Sequence, residues 1–193
     1  MKHIQNLLLT LCILFSYPAF AQETTQAQEL ESAAEAGDVA AQFQLANLYL
    51  SGAFGTSDPD KALEWYRKSA EGGYVEANIR LAELYIQGLS GKQNFDEAIK
   101  WLEKPAQQGD ATAQTTLGWA LIMGKQDYAE AAKWYKAAAT QGYPEAISAL
   151  GNLYYDGTGV VQDHKKALEL YKQACDLEVH IACVYYQQRG GSN

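Results

Sequence analysis

Cysteine and histidine are the residue types best suited to metal binding or redox chemistry, and both are scarce in this chain. The 193 residues include three cysteines and three histidines. Cys12 lies in an apolar N-terminal segment, which leaves Cys175 and Cys183 as a Cys-x7-Cys pair. Neither His164 nor His180 has the spaced His, Asp or Glu partners of a zinc-binding helix. We therefore expect no metal.

The chain lacks the short motifs typical of nucleophilic or metal-assisted hydrolysis. No Ser-x-x-Lys, Gly-x-Ser-x-Gly or His-Glu-x-x-His occurs. The segment from Gly88 to Lys92 resembles a phosphate-binding loop, but Gln93 replaces the Ser or Thr and the glycine spacing differs. We expect an ordinary loop there, no cofactor and no catalytic residue.

The charge balance argues against two classes of partner. Lys and Arg number 15 against 23 Asp and Glu, so the net charge is −8 and the isoelectric point about 4.9. Nucleic-acid binding needs cationic side chains to neutralise phosphates, and anionic membranes attract polybasic segments. We expect neither partner. With 48% hydrophobic residues, the chain is apolar enough for a folded core.

The first 21 residues have the pattern of a secretory signal peptide. Lys2 precedes an apolar run from Leu7 to Phe15, and residues 19–21 read Ala-Phe-Ala. A membrane anchor is the alternative, but a spanning helix needs about 20 apolar residues. The pattern predicts cleavage after Ala21, a flexible tail over residues 22–26 and a periplasmic or secreted protein.

The rest of the chain repeats itself. Gly37, Gly73, Gly109 and Gly142 follow one another at intervals of 36, 36 and 33 residues. The same intervals recur in an alanine column (Ala41, Ala77, Ala113, Ala146), a leucine column (Leu45, Leu81, Leu117, Leu150) and a second glycine column (Gly52, Gly88, Gly124, Gly157). A period of this length is typical of a solenoid.

Each repeat reads as two helices, A and B. Ala41, Leu45 and Tyr49 lie at i, i+4 and i+8, which places them on one helical face. Gly52 is suited to end helix A, and Pro59 to begin helix B. Helices of about 12 residues are marginal alone, so their stability must come from stacking on neighbours.

The third repeat is shorter than the others, and the shortfall can be located. Gly124 and Ala131 are 7 residues apart, whereas Gly52 and Ala62 are 10 apart. We therefore expect helix A of this repeat to end at Gly124. The missing residues then fall in the loop between the two helices, where length changes are tolerated.

These repeats resemble Sel-one-like repeats (SLR), a branch of the tetratricopeptide-type solenoids. The resemblance is carried by residues 40–49 with 61–70, and most closely by residues 149–160 with Lys166 and Ala167. It implies an all-α, right-handed superhelical solenoid of antiparallel helix pairs in one domain, residues 27–188. The implied segments are units 38–73, 74–109, 110–142 and 143–178, caps 27–37 and 179–188, and a flexible tail 189–193.

Two residues depart from the family pattern. Pro105 falls inside the second B helix, where it either kinks or shortens the helix or merely starts its last turn. Glu178 stands where the other repeats have glycine.

The two remaining cysteines lie beside the same turn, on helices expected to face each other. A disulfide between Cys175 and Cys183 is geometrically reasonable, and the spacing resembles that of the cysteine-rich secreted SLR proteins. Two free buried thiols are the alternative. Because Glu178 replaces the turn glycine, we hypothesise that the crosslink holds the C-terminal cap.

The inner surface is the remaining candidate site. In tetratricopeptide-type solenoids the A helices line a concave groove, and transferring that geometry gives four residues per repeat. The candidates are Phe43, Asn47, Leu50 and Ser51; Ile79, Glu83, Ile86 and Gln87; Thr115, Trp119, Ile122 and Met123; and Ser148, Asn152, Tyr155 and Asp156. Trp119 could be a contact anchor or a core residue that compensates for the short third loop. The regular spacing of Trp65, Trp101 and Trp134 predicts core positions.

The resemblance favours a non-catalytic interaction module that binds a protein or peptide in the groove as a monomer. A β-lactam hydrolase, an activity ascribed to some cysteine-rich SLR proteins, and a subunit of an envelope assembly are the alternatives. The first lacks a visible nucleophile–base pair. The second would need apolar rather than polar caps.

Overall fold

The computed structural model describes residues 28–89, 91 and 93–190, and this part of the chain is helical without strands. The predicted all-α repeat fold is confirmed. The helices are α1 (residues 28–35), α2 (Val39–Ser51), α3 (Pro59–Glu71), α4 (Val75–Gln87), α5 (Phe95–Gln107), α6 (Ala111–Lys125), α7 (Tyr128–Thr140), α8 (Pro144–Asp156), α9 (His164–Asp176) and α10 (His180–Gln188). The predicted signal peptide and the tail of residues 22–26 lie outside the described residues.

The chain divides into two compact units, Met1–Tyr74 and Val75–Asn193. In the first, α2 and α3 pack as an A–B pair beside α1. In the second, each helix from α4 to α10 packs on the next along the chain. Within the described ranges, no helix has both the length and the apolar character needed to cross a membrane.

Short polar side chains set the helix starts. The carboxylate of Asp38 accepts the backbone N–H of Ala41 at 2.8 Å, and Asp110 accepts that of Ala113 at 2.7 Å. Asp58, Asn94, Asp127 and Asp163 cap their helices in the same way. Each cap satisfies an N–H that has no partner inside the helix.

A left-handed residue closes each turn from a B helix to the next A helix. Gly37, Gly73, Gly109 and Gly142 have φ between 82° and 96°. Glu178 takes the same role in the last turn with φ 68°. A side chain with a Cβ is strained there, so this turn carries a cost that the other four avoid.

The shared apolar columns form the core of each unit. Leu45 in the first unit and Leu81 and Leu117 in the second are at most 1% exposed. Burying each such side chain contributes about 1.5–3 kcal/mol. The B helices bury the residue after the tryptophan column: Tyr66, Leu102, Tyr135 and Tyr171. Trp65, Trp101 and Trp134 are half-buried and pack against the edge of the core, so the predicted core positions hold only in part.

The third repeat differs from the expectation at its second glycine. Helix α6 continues through Gly124 to Lys125, and Gln126, with φ 54°, ends it. A Cβ on Gly124 would lie 2.4 Å from the Cβ of Phe95. This glycine is therefore needed for the close approach of α5, and the prediction that it ends the helix was wrong.

Pro105 does not shorten its helix. Helix α5 has 13 residues, as many as α3, α7 and α9, and the proline side chain is fully buried. The length of α5 excludes the shortening that was one expectation for Pro105.

Candidate functional site

An exposed apolar pair on α6 stands out among the groove candidates. Trp119 is 40% exposed and Met123 54% exposed, and the two lie one helical turn apart. The Trp119 ring contacts the Phe95 ring at 5.8 Å between centroids. We call Trp119 and Met123 the α6 patch. Its exposure excludes a buried core role for Trp119.

The surroundings of the α6 patch mix apolar support with a charged edge. Ile122 is half-buried and packs against the core. Lys125 Nζ lies 3.8 Å from Asp96 Oδ1, beside Phe95. A surface with an apolar centre and charged edge can bury a partner's side chains while fixing their orientation.

Several other groove candidates are already engaged within their own unit. The Tyr66 hydroxyl donates to Asn47 Oδ1 at 2.5 Å. Glu83 pairs with Arg80, one turn earlier on α4, at 2.9 Å. The Thr115 hydroxyl donates to the carbonyl of the preceding turn at 2.7 Å. These polar groups have partners before any ligand arrives.

Two candidates, Ile79 and Ser148, are buried and not available to a partner. Ile79 is 9% exposed and belongs to the core of the second unit. A branched aliphatic side chain at the edge of an apolar face is stabilised by turning inward. Phe43, Leu50, Ile86 and Tyr155 are half-buried, and Ser148 is buried.

The last repeat brings Asn152 and Tyr155 together with a residue that the sequence analysis placed in a tail. The Arg189 guanidinium carbon lies 3.9 Å from the centre of the Tyr155 ring and 4.7 Å from that of Tyr185. Its Nη1 donates to the Tyr171 hydroxyl and lies 3.4 Å from Asn152 Oδ1. Arg189 is thus packed on the end of the second unit.

The tyrosine under this arginine is buried. Tyr171 is 0% exposed, and its hydroxyl donates to Asn152 Oδ1 at 2.8 Å. Burial raises the pKa of Tyr171 to about 12, although the Arg189 charge acts in the opposite direction. Burial also raises the pKa of Tyr135, the corresponding residue of the third repeat. Both phenols stay neutral at physiological pH.

The cysteines form the expected disulfide. Cys175 at the end of α9 is bonded to Cys183 on α10. The bond spans the turn that contains Glu178. Thus the crosslink and the strained turn residue occupy the same connection, and the alternative of two free thiols is not the arrangement found.

The described part of the chain offers little for metal chemistry. It holds no group of three or more His, Cys, Asp and Glu side chains placed to bind a metal ion. His164 stacks on Tyr155, with ring centres 4.7 Å apart.

Comparison with known families identifies the repeats. The Sel1 repeat model matches residues 39–74, 75–110, 111–143 and 144–179. The chain belongs to the Sel1 repeat family. The four matches begin one residue after the predicted units. Sel1 repeats generally act as protein–protein interaction modules and non-enzymatic scaffolds.

Two solved structures support the assignment. One is c5321, a protective antigen present in uropathogenic Escherichia coli strains and displaying an SLR fold, with 36% identity and a TM-score of 0.76. The other is a Sel1 repeat protein from Oxalobacter formigenes, with 31% identity and a TM-score of 0.71. The matches cover 84% and 78% of this chain, but only 35% and 63% of those proteins. No curated protein matches this Sel1 repeat chain.

Sequence reasoning missed two features of the site. Arg189 falls in the column of Leu84, Ala120 and Leu153, so extending the alignment by one residue past the cap would have found it. The role of Gly124 as a packing residue has no sequence signal, because a helix-ending glycine has the same spacing.

Proposed function

We propose that this Sel1 repeat chain is an exported, non-catalytic interaction module that binds a protein or peptide through the exposed faces of its A helices. The observation that carries the proposal is the α6 patch. Trp119 and Met123 leave large apolar areas in water on the helix type that lines the groove in this fold class. Tryptophan is enriched in binding hot spots, and methionine adapts to different partners.

The charge of the chain favours one kind of partner. Its net charge is −8, so a neutral or basic surface approaches more readily than an acidic one. The Lys125–Asp96 pair beside the patch adds a local polar edge that can orient the partner.

Export is supported by two independent features. The sequence has a signal-peptide pattern over residues 1–21, and the disulfide belongs to an oxidising compartment. Cell fractionation followed by mass spectrometry under alkylating conditions measures where the protein lies and the thiol state of its cysteines. Recovery of the protein only from the cytoplasmic fraction, with free thiols at Cys175 and Cys183, would contradict export.

The absence of enzymatic activity is part of the proposal and has its own test. Purified chain is incubated with the chromogenic β-lactam nitrocefin. We expect no turnover above buffer. Sustained turnover would contradict a non-catalytic interaction module and favour the alternative function, a β-lactam hydrolase.

Binding is tested by pull-down from periplasm after chemical crosslinking. Trp119→Ala is compared with Val161→Ala, which also shortens an exposed apolar side chain, 87% exposed. We expect Trp119→Ala to recover at least tenfold less of a partner than wild type, since hot-spot truncations cost roughly 2 kcal/mol or more of binding free energy. Val161→Ala should recover as much as wild type. Equal recovery by wild type and both variants, with unchanged melting temperatures, would refute the role of the patch.

A further inference from the structure

The second unit ends in an aromatic cluster that holds a guanidinium. Three tyrosine rings surround the Arg189 side chain: Tyr155, Tyr171 and Tyr185, with centres 3.9, 5.2 and 4.7 Å from the guanidinium carbon. Nη1 reaches the Tyr171 hydroxyl and the Asn152 side-chain oxygen. Ring faces attract a cation, and the two oxygens accept from its N–H groups.

The arginine occupies a position that normally carries an apolar side chain. Its column contains Leu84, Ala120 and Leu153 in the preceding A helices of this unit, all at most 5% exposed. Arg189 is instead partly exposed. The residue that follows α10 thus places a charged group where the preceding A helices of this unit have a buried leucine or alanine.

None of the described carboxylates forms an ion pair with this guanidinium. Within residues 28–89, 91 and 93–190, no Asp or Glu carboxylate lies within 4.0 Å of Arg189. In the first unit, Tyr66 and Asn47 form the corresponding hydrogen bond, so the same Tyr–Asn pair occurs in both units.

We propose that this cluster, Asn152, Tyr155, Tyr171 and Tyr185, is a recognition site for an arginine side chain of a protein or peptide partner, with Arg189 as the competing internal occupant. The inference deepens the proposed function, since two of the four residues are groove candidates on α8. A basic partner also suits the net charge of −8. The partner's arginine binds when Arg189 leaves, so the affinity is reduced in proportion to the fraction of time the site is open.

Full-length protein is titrated with N-acetyl-arginine methylamide, and binding is monitored through the NMR signals of the tyrosine rings. Arg189→Ala opens the site, and we expect it to bind the amide about tenfold more tightly than wild type. N-acetyl-citrulline methylamide has nearly the same shape without the charge and is the control ligand. Adding Tyr155→Ala to Arg189→Ala removes one ring and should weaken binding about fivefold.

A second variant keeps the test informative if Arg189→Ala disturbs the fold. Arg189→Gln keeps a long polar side chain but no cation, and it should also bind the amide more tightly than wild type. Binding by both variants that is no tighter than by wild type, or equal binding of the citrulline control, would overturn the proposal. The titration does not involve Trp119, so it can show arginine binding even if the pull-down refutes the role of the α6 patch. Conversely, the pull-down with Trp119→Ala can support the α6 patch even if the titration shows no arginine binding.

Discussion

Replacing Glu178 by glycine should stabilise the protein. Glu178 holds φ 68°, which costs a residue with a Cβ roughly 1–2 kcal/mol. Its side chain is exposed and has no hydrogen bond or ion pair with the described residues. Glycine removes the strain but gains freedom in the unfolded chain, worth about 0.5–1 kcal/mol. The net gain is about 0.5–1 kcal/mol.

The assay is urea and thermal denaturation followed by circular dichroism, with the disulfide intact. For a chain of this size, the gain corresponds to a rise of about 2 °C in melting temperature. Glu178→Ala keeps the Cβ and serves as the matched control, with no rise expected. Gly142→Ala makes the reverse change at φ 82° in an equivalent turn with open space around the Cβ, and it should lose about 1 kcal/mol. Equal stability of Glu178→Gly and Glu178→Ala would refute the strain argument.

Three further changes test the fold. Replacing both Cys175 and Cys183 by alanine should lower the free energy of unfolding by about 2 kcal/mol, because the closed loop is short; denaturation in urea measures it, and an unchanged midpoint would contradict it. Gly124→Ala should destabilise by roughly 1–3 kcal/mol because the new methyl overlaps Phe95; a higher melting temperature would show that α6 can move away. Asp110→Ala should lower the free energy of unfolding by about 1 kcal/mol because α6 loses its N-terminal cap, whereas Asp110→Asn should keep most of that stability. Equal losses in the two variants would argue against the side-chain cap.

The repeat architecture could be predicted because it depends on spacing. Glycine, alanine and leucine columns at fixed intervals imply stacked helix pairs, whatever the details of each contact. The disulfide could be proposed because the SLR resemblance and the position of a turn point to the same pair, Cys175 and Cys183.

Residues at the edges of the apolar faces could not be assigned from spacing. Trp101 and Trp134 are only half-buried, whereas Ile79 is buried despite its place among the groove candidates. A shift of a few tens of degrees around the helix decides between the two environments. The exposure of Trp119 could not be predicted for the same reason, because its position in the repeat is compatible with both environments.

Extending the repeat pattern by one residue places Arg189 in the column of Leu84, Ala120 and Leu153, but it does not predict the contacts of the side chain. Arg189 was expected in a flexible tail because no repeat follows it, yet its guanidinium lies on the Tyr155 ring. Cation–ring contacts depend on side chains from three helix segments, which the sequence does not place side by side.

Site-specific photocrosslinking can locate the surface of the protein that the partner contacts. A photoreactive phenylalanine analogue is placed at Met123, in the α6 patch, or at Lys136, which is exposed on the B helix α7. We expect a partner adduct from position 123 that disappears with Trp119→Ala, and no such adduct from position 136. The same adduct from both positions, or from position 136 alone, would contradict binding through the A helices.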